Sequence, residues 1–234
     1  MTNWFEHFDQ MLRGQEIDQS LGLIGAAEAD MQTVLRHVRY QYKSKTKEAV
    51  EETFTKTLEK LNKDKWNEVW SLFEEKNSTS TRSLNSFPKI FLDFFQTTDA
   101  PHALKELMKF EWALEIHPWF HRRLSPTNIE GMELSENIII ELSALDIQTF
   151  QAPVVALYQG HEVFDDQEIQ QVVIWFPSEG VKFYAAEAWE VKILENLQIG
   201  LGNALQYAPE DTAQVGQFFQ WLGRSGLIRS YRLS

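Results

Sequence analysis

The sequence predicts an α+β protein in two parts: a helical domain over residues 1–130, then a winged-helix-like domain with a small antiparallel sheet over 131–234. Three observations predict it. Apolar residues recur at helical spacing as far as Ile116, whereas after Gly131 they gather in short β-branched and aromatic runs. Residues 1–128 carry 17 Lys/Arg against 19 Asp/Glu, while residues 129–234 carry 5 against 15, which places a net −10 of the total −12 on the second part. Finally, the strands are followed by three helices, the pattern of a hairpin packed beside a helical triad.

Element by element, Trp4, Phe5, Phe8, Met11 and Leu12 predict a short amphipathic helix, and Gly22 and Gly25 a loop after it. The stretch from Ala27 to Leu61 is rich in Glu, Lys, Gln and Leu and predicts two helices, with a break near Lys43–Thr46. Asp64 is placed to cap the next helix, which sets Trp66, Val69, Trp70 and Phe73 on one face. The polar NSTSTRSLNS (Asn77–Ser86) reads as a loop. Ser86 and Pro88 open a helix to about Gln96, and Asp99 with Pro101 opens another to Ile116.

In the second part, ELSALDIQTF, PVVALYQ, QQVVIWF and VKFYAA read as strand-like runs, with Ser178-Glu179-Gly180 as a hairpin turn. Helices are predicted over Ala186–Gln198, around Asn203–Tyr207 and over Glu210–Leu222, and LIRSYRL as a closing strand. No internal repeat is visible.

Composition narrows the chemistry. A hydrophobic content of 43% and an aromatic content of 13% suit a folded globular chain. There is no cysteine, which excludes disulfides, thiolate metal sites, iron–sulfur clusters and a cysteine nucleophile. The first residues carry acids where a signal peptide needs a basic region, and no apolar run is long enough for a membrane span. A cytoplasmic protein is expected. The sequence contains no G-x-S-x-G, Walker loop, G-x-G-x-x-G or H-E-x-x-H.

FEWALEIHPWFH, from Phe110 to His121, raises the question of a metal site. Glu111 shares a helix face with Leu104, Leu107, Met108 and Leu114, so its carboxylate is expected to be buried and paired. Pro118 is expected to push His117 out of helical geometry, so that His117 ends the helix or caps the next one and does not form an i, i+4 ligand pair with His121. Arg36, Arg39, Lys43 and Lys47 fall on one narrow helix face and form either a cationic ridge or a solvated surface balanced by Glu48, Glu51 and Glu52. The last helix, EDTAQVGQFFQWLGRSG, begins with two acids and has one Arg at its far end, a poor match to DNA phosphate. Its Phe218, Phe219 and Trp221 beside a sheet edge instead suit an added peptide strand, or are core.

Taken in order, YQYKSKTKEAVEETFTKTLEKL, SFPKIFLDFF, ELMKFEWALEI and LGRSGLI resemble the HvfC/BufC-type family, long labelled a DNA-binding domain. The resemblance covers about Val34 to Ile228, and its sharpest element is FEWAL after FPKIFLDFF, similar to the family's Leu-Glu-Trp-Ala-Leu and Phe-Pro-x-Phe-Leu. Two positions depart from the pattern: Glu115 stands where the family often has His, and RYQYK has Lys43 in place of Arg.

The resemblance implies a non-catalytic subunit, with no cofactor of its own, that pairs with a TIM-barrel enzyme carrying a multinuclear iron centre. Together such pairs modify cysteines of ribosomally made precursor peptides, as in methanobactin-type and thiaglutamate-type pathways. The subunit keeps the enzyme active and recruits the peptide leader, often by strand addition to its C-terminal domain. On this reading Val172, Ile174 and Phe176, or Lys182 and Tyr184, with Phe218 and Trp221, take the peptide. Arg36, Arg39, Lys43 and the Phe110–Trp119 region, with Phe110, Trp112, His117 and Trp119, face the iron enzyme in a heterodimer. The alternative is a transcription regulator binding DNA through the cationic ridge. A stand-alone hydrolase or metalloenzyme would need a convergent His/Asp/Glu site that no motif supplies.

Overall fold

A computed structural model describes residues 28–77, 86–120, 136–162, 168–177 and 180–233, with the backbone alone at 28–39 and 119–120. The helix expected at Trp4–Leu12, the loop at Gly22 and Gly25, His121 and nearly all of the NSTSTRSLNS loop lie outside the described residues. The fold is α+β, helical toward the N-terminus and stranded toward the C-terminus. It divides into two compact units, Met1–Ala100 and Pro101–Ser234.

The first unit contains α1 (Glu28–Thr53), α2 (Thr55–Lys60), α3 (Lys63–Asn77) and α4 (Phe87–Gln96). The break expected at Lys43–Thr46 is absent, and α1 runs through it. Thr46 is buried and its hydroxyl donates to the Tyr42 carbonyl, which keeps it inside the helix, while Lys45–Glu48 and Lys47–Glu51 pairs support the same turns. The chain breaks instead at Phe54, which is wholly buried. Asn62, rather than Asp64, caps α3: its Oδ1 accepts the Lys65 N–H at 2.7 Å. Trp66, Val69, Trp70 and Phe73 share the buried face, as their spacing predicts. Ser86 sits at the cap position of α4 without a side-chain cap bond, and Pro88 lies in the first turn. The core is largely aromatic, with Phe91 against Trp66 at 5.3 Å and Phe73 at 5.0 Å between ring centroids.

The second unit opens with α5 (His102–Phe120), followed by β1 (Ile138–Leu142), β2 (Leu145–Phe150), α6 (Val154–Tyr158), β3 (Gln170–Trp175) and β4 (Lys182–Ala186). It closes with α7 (Ala188–Asn196), α8 (Leu201–Leu205), α9 (Thr212–Arg224) and β5 (Ile228–Leu233). The sequence reading groups α5 with the helical part. In the structure, Leu107, Phe110 and Ala113 of α5 pack in one core with Phe150, Val172 and Ile174 of the strands.

Pro118 does not end α5, which continues to Phe120. The proline falls in the last turn and costs one backbone bond. Leu107, Met108, Phe110 and Ala113, all buried, anchor the helix ahead of it. PVVALYQ is also not a strand. Val154 and Leu157, three apart, are both buried, and the Val155 N–H is taken by the Gln170 side chain at 3.0 Å, so the run coils into α6. ELSALDIQTF splits at Ser143–Ala144 between two sheets.

The sheets are antiparallel: β2–β3–β4 in that order, and a separate β1–β5 ribbon. Side chains of the three-stranded sheet alternate between two cores. Leu145, Ile147, Val173, Trp175, Tyr184 and Ala186 face α7–α9, whereas Phe150, Val172, Ile174 and Phe183 face α5 and α6. Among the described residues both faces of the sheet are therefore packed, and its outer strands β2 and β4 each pair on one side. Gly202 of α8 packs hard against the chain before β1, its N–H donating to the Glu136 carbonyl at 3.0 Å, and a Cβ there would meet Glu136 at 3.3 Å.

Candidate functional site

Strand addition requires a strand with one unpaired edge. β3 has none. Val172, Val173 and Ile174 pair with β2 on one side and β4 on the other. Val172 and Ile174 are also fully buried. They are core residues of a central strand, so the structure removes them from the set expected to take a peptide. Phe176 lies just past the end of β3, partly buried. Their β-branched composition signalled burial on both faces, which a central strand shows and an edge does not.

The outer strands are β2 and β4. β2 turns Asp146 and Gln148 to the face that carries Phe150, and the two side chains bond each other at 2.6 Å. An inward-facing carboxylate is a familiar way to blunt an edge. β4 has no such charge between Phe183 and Ala186.

β4 is instead framed by aromatic rings on both faces. On one face Tyr184 stacks on Trp221 of α9, with centroids 4.1 Å apart and planes at 27°. Trp221 in turn meets Trp175 edge-on at 5.8 Å and Phe218 at 5.6 Å. On the other face Phe183 meets Tyr158 at 5.4 Å and Phe110 at 5.2 Å. Phe218 is 2% exposed and serves as the floor of this group, while Tyr184 and Trp221 are half-buried and reach the surface. Lys182 is exposed at the start of the strand, paired across the ladder with Trp175.

Polar ties fix the edge in place. The Tyr184 hydroxyl donates to Glu190 Oε1 at 2.8 Å, and Glu190 Oε2 accepts the Glu187 N–H at 2.8 Å. The latter bond is half of a capping box between Glu187 and Glu190 that starts α7. Burial raises the Tyr184 hydroxyl pKa, and the neighbouring Glu190 carboxylate raises it further, so the phenol stays protonated and donating. Burial also raises the Glu190 carboxyl pKa, with the bonds from Glu187 and Tyr184 pulling the other way. The Trp175 indole donates to the Ser225 carbonyl at 3.0 Å, which secures the end of α9 to the sheet. The acids before α9 are explained locally: Asp211 caps the helix by accepting the Ala213 N–H at 2.9 Å.

Two of the residues expected to face an enzyme partner are buried. Phe110 is fully buried, ringed by Phe150, Tyr158 and Phe183, and His117 is 2% exposed. Phe110 belongs to the core of its own unit and His117 is buried, so neither presents its side chain at the surface. Glu111 is 5% exposed and engaged, as expected for a buried carboxylate. Trp112 is half-buried, and the side chain of Trp119 lies outside the described residues. Arg36 and Arg39 lie on α1, whose continuity past Lys43 does set the four cations on one helix. Two of those cations are balanced: Lys43 pairs with Glu74 at 3.7 Å, and Lys47 pairs with Glu51 while sitting over Trp66 and Trp70.

Tyr158, Phe183 and Glu190 escaped sequence reasoning. The E-x-x-E spacing of Glu187 and Glu190 ahead of an apolar run was the available signal for the last. Among the described residues, no group of three or more His, Asp or Glu side chains is arranged to hold a metal ion, and no helix is long and apolar enough to cross a membrane. Comparison of the chain with protein-family models and with curated proteins finds no match.

Proposed function

We propose that this chain is a non-catalytic partner subunit that recruits a ribosomally made precursor peptide to an iron-dependent TIM-barrel enzyme for cysteine modification. The observation that carries the proposal is the outer edge of β4. It offers main-chain groups between two aromatic walls, Tyr184–Trp221 and Phe183–Tyr158, and an added strand would set alternate side chains against each wall. The ordered likeness of SFPKIFLDFF, FEWALEI and LGRSGLI to the HvfC/BufC-type family supports the same role and supplies the enzyme partner. The iron belongs to that partner. DNA recognition draws little support, since Lys43 and Lys47 are engaged by carboxylates and α9 opens on the capping Asp211.

Affinity purification from the native cell, with mass spectrometry and iron analysis of what co-elutes, tests the partnership. A stoichiometric iron-bearing barrel protein is the expected result, whereas the chain alone with bound DNA fragments would overturn the proposal. Within such a complex, Trp221→Ala is expected to weaken precursor-peptide binding about tenfold, in line with loss of a buried aromatic anchor, while the two proteins still co-purify. Undiminished peptide affinity would remove β4 as the binding edge.

A further inference from the structure

β5 presents a second edge, of different chemistry. It pairs only with β1, and among the described residues no strand lies on its outer side. The ribbon has one apolar face, on which Ile138 and Ile140 of β1 stand opposite Leu233 and Tyr231 of β5. The β1 half of that face is covered, with Ile138 and Ile140 at 2% and 1% exposure, but the β5 half is not, since Tyr231 is 45% and Leu233 74% exposed. A two-stranded ribbon whose apolar face is finished on one strand only is a incomplete sheet, and a third strand beside β5 would continue the covered surface.

Charge identifies what that strand carries on its other face. Residues 129–234 hold five cations, and three of them, Arg224, Arg229 and Arg232, fall in the stretch leading into and along β5. All three are exposed, in a part of the chain that is otherwise acidic. Arg232 stands opposite Ile139 on the face away from the core. On that face of the ribbon Glu141 accepts the Ser230 hydroxyl at 2.7 Å and lies on β1, one strand further from any chain added to β5. A second copy of this chain is a poor occupant, because antiparallel β5–β5 pairing brings Arg229 and Arg232 of one copy close to those of the other, and like charges across a ladder repel.

We infer that the outer edge of β5 docks an extended segment of another protein in which apolar and acidic residues alternate. Its apolar side chains cover Tyr231 and Leu233, and its carboxylates meet Arg232. This inference does not rest on the β4 reading, and the two are separable by experiment.

The test uses the full chain and a short end-blocked synthetic peptide of alternating valine and glutamate, with a valine–lysine peptide as its control. Binding is followed by fluorescence anisotropy and located by amide hydrogen exchange. The valine–glutamate peptide is expected to bind, to protect amides of residues 229–233, and to be preferred over the lysine peptide. Arg232→Glu is expected to weaken it about fivefold, the effect of exchanging an opposite-charge pair for a like-charge one, and to favour the lysine peptide instead. Trp221→Ala, which opens the β4 wall, should leave this affinity unchanged. Equal binding of both peptides, protection mapping to β4, self-association through β5 in sedimentation, or no binding at all would overturn the inference. In the last case the arginines would serve only to blunt the edge.

Discussion

In the helical unit, Phe91 is fully buried among the rings of Phe54, Trp66, Trp70, Phe73, Phe94 and Phe95. Among its described residues the only buried polar side chains are Thr46 and Thr57. The strand unit buries Glu106, Glu111, His117 and Glu190, and ties distant segments together through such groups. Glu106, for example, accepts the Gln151 N–H across 45 residues of chain. One unit is held by shape and apolar area, the other by apolar area plus polar bonds that must be made correctly. The difference teaches where each is vulnerable. A core of rings fails by losing volume, whereas a core threaded with carboxylates fails by losing a partner.

Phe91→Ala should therefore have the largest effect, about 3–5 kcal/mol for loss of a buried aromatic side chain and the cavity it leaves. The loss should be confined to the helical unit. Hydrogen exchange resolved by segment would show amides of α1, α3 and α4 losing protection while those of β2–β4 keep theirs. Equal loss across both units would mean that they unfold as one, and the comparison would collapse.

Glu106→Leu probes the other mode. The substitution roughly conserves side-chain size but removes the acceptor of the Gln151 N–H and of Lys109, so it should cost about 1–3 kcal/mol despite adding a hydrophobic side chain. Its mark is local: faster exchange at Gln151 and at the end of β2. A neutral or stabilising result would show that the strand unit tolerates the missing bond as easily as the helical unit tolerates its few polar groups.

The same contrast explains what the sequence made legible. The face of Trp66, Val69, Trp70 and Phe73 was readable because helical spacing and aromatic content agree locally. The order of β3, β4 and the three following helices was readable for the same reason. PVVALYQ reads as a strand because its β-branched composition is local, while the groups that coil it are not. The Gln170 side chain that takes the Val155 N–H lies 15 residues away. His117 and Phe110 look like surface candidates in a linear motif, and only the packing of α5 on the sheet shows Phe110 as core. At the candidate site, Tyr184, Phe218 and Trp221 could be named from sequence. That β3 is central and β4 the edge depends on strand order, which no local pattern encodes.

The smallest expected effect is a pH dependence that only the strand unit should show through Glu190. Its carboxyl pKa is raised above the ordinary 4.5, first by burial, with the Glu187 N–H and the Tyr184 hydroxyl partly offsetting this. The folded chain thus holds that proton more tightly than the unfolded chain does. The stabilisation this provides is fully present below the ordinary value and is lost as pH rises through the raised folded value. Urea midpoints for the strand unit, followed across mildly acidic pH by exchange at the Glu187 amide, should fall with rising pH. In Glu190→Gln, whose amide oxygen can still accept the Glu187 N–H, that slope should flatten. The helical unit supplies the internal control, because among its described residues no carboxylate is buried. A slope that persists in Glu190→Gln would place the titration elsewhere. One of matching size in the helical unit would show that the two cores differ less in their electrostatics than their buried groups imply.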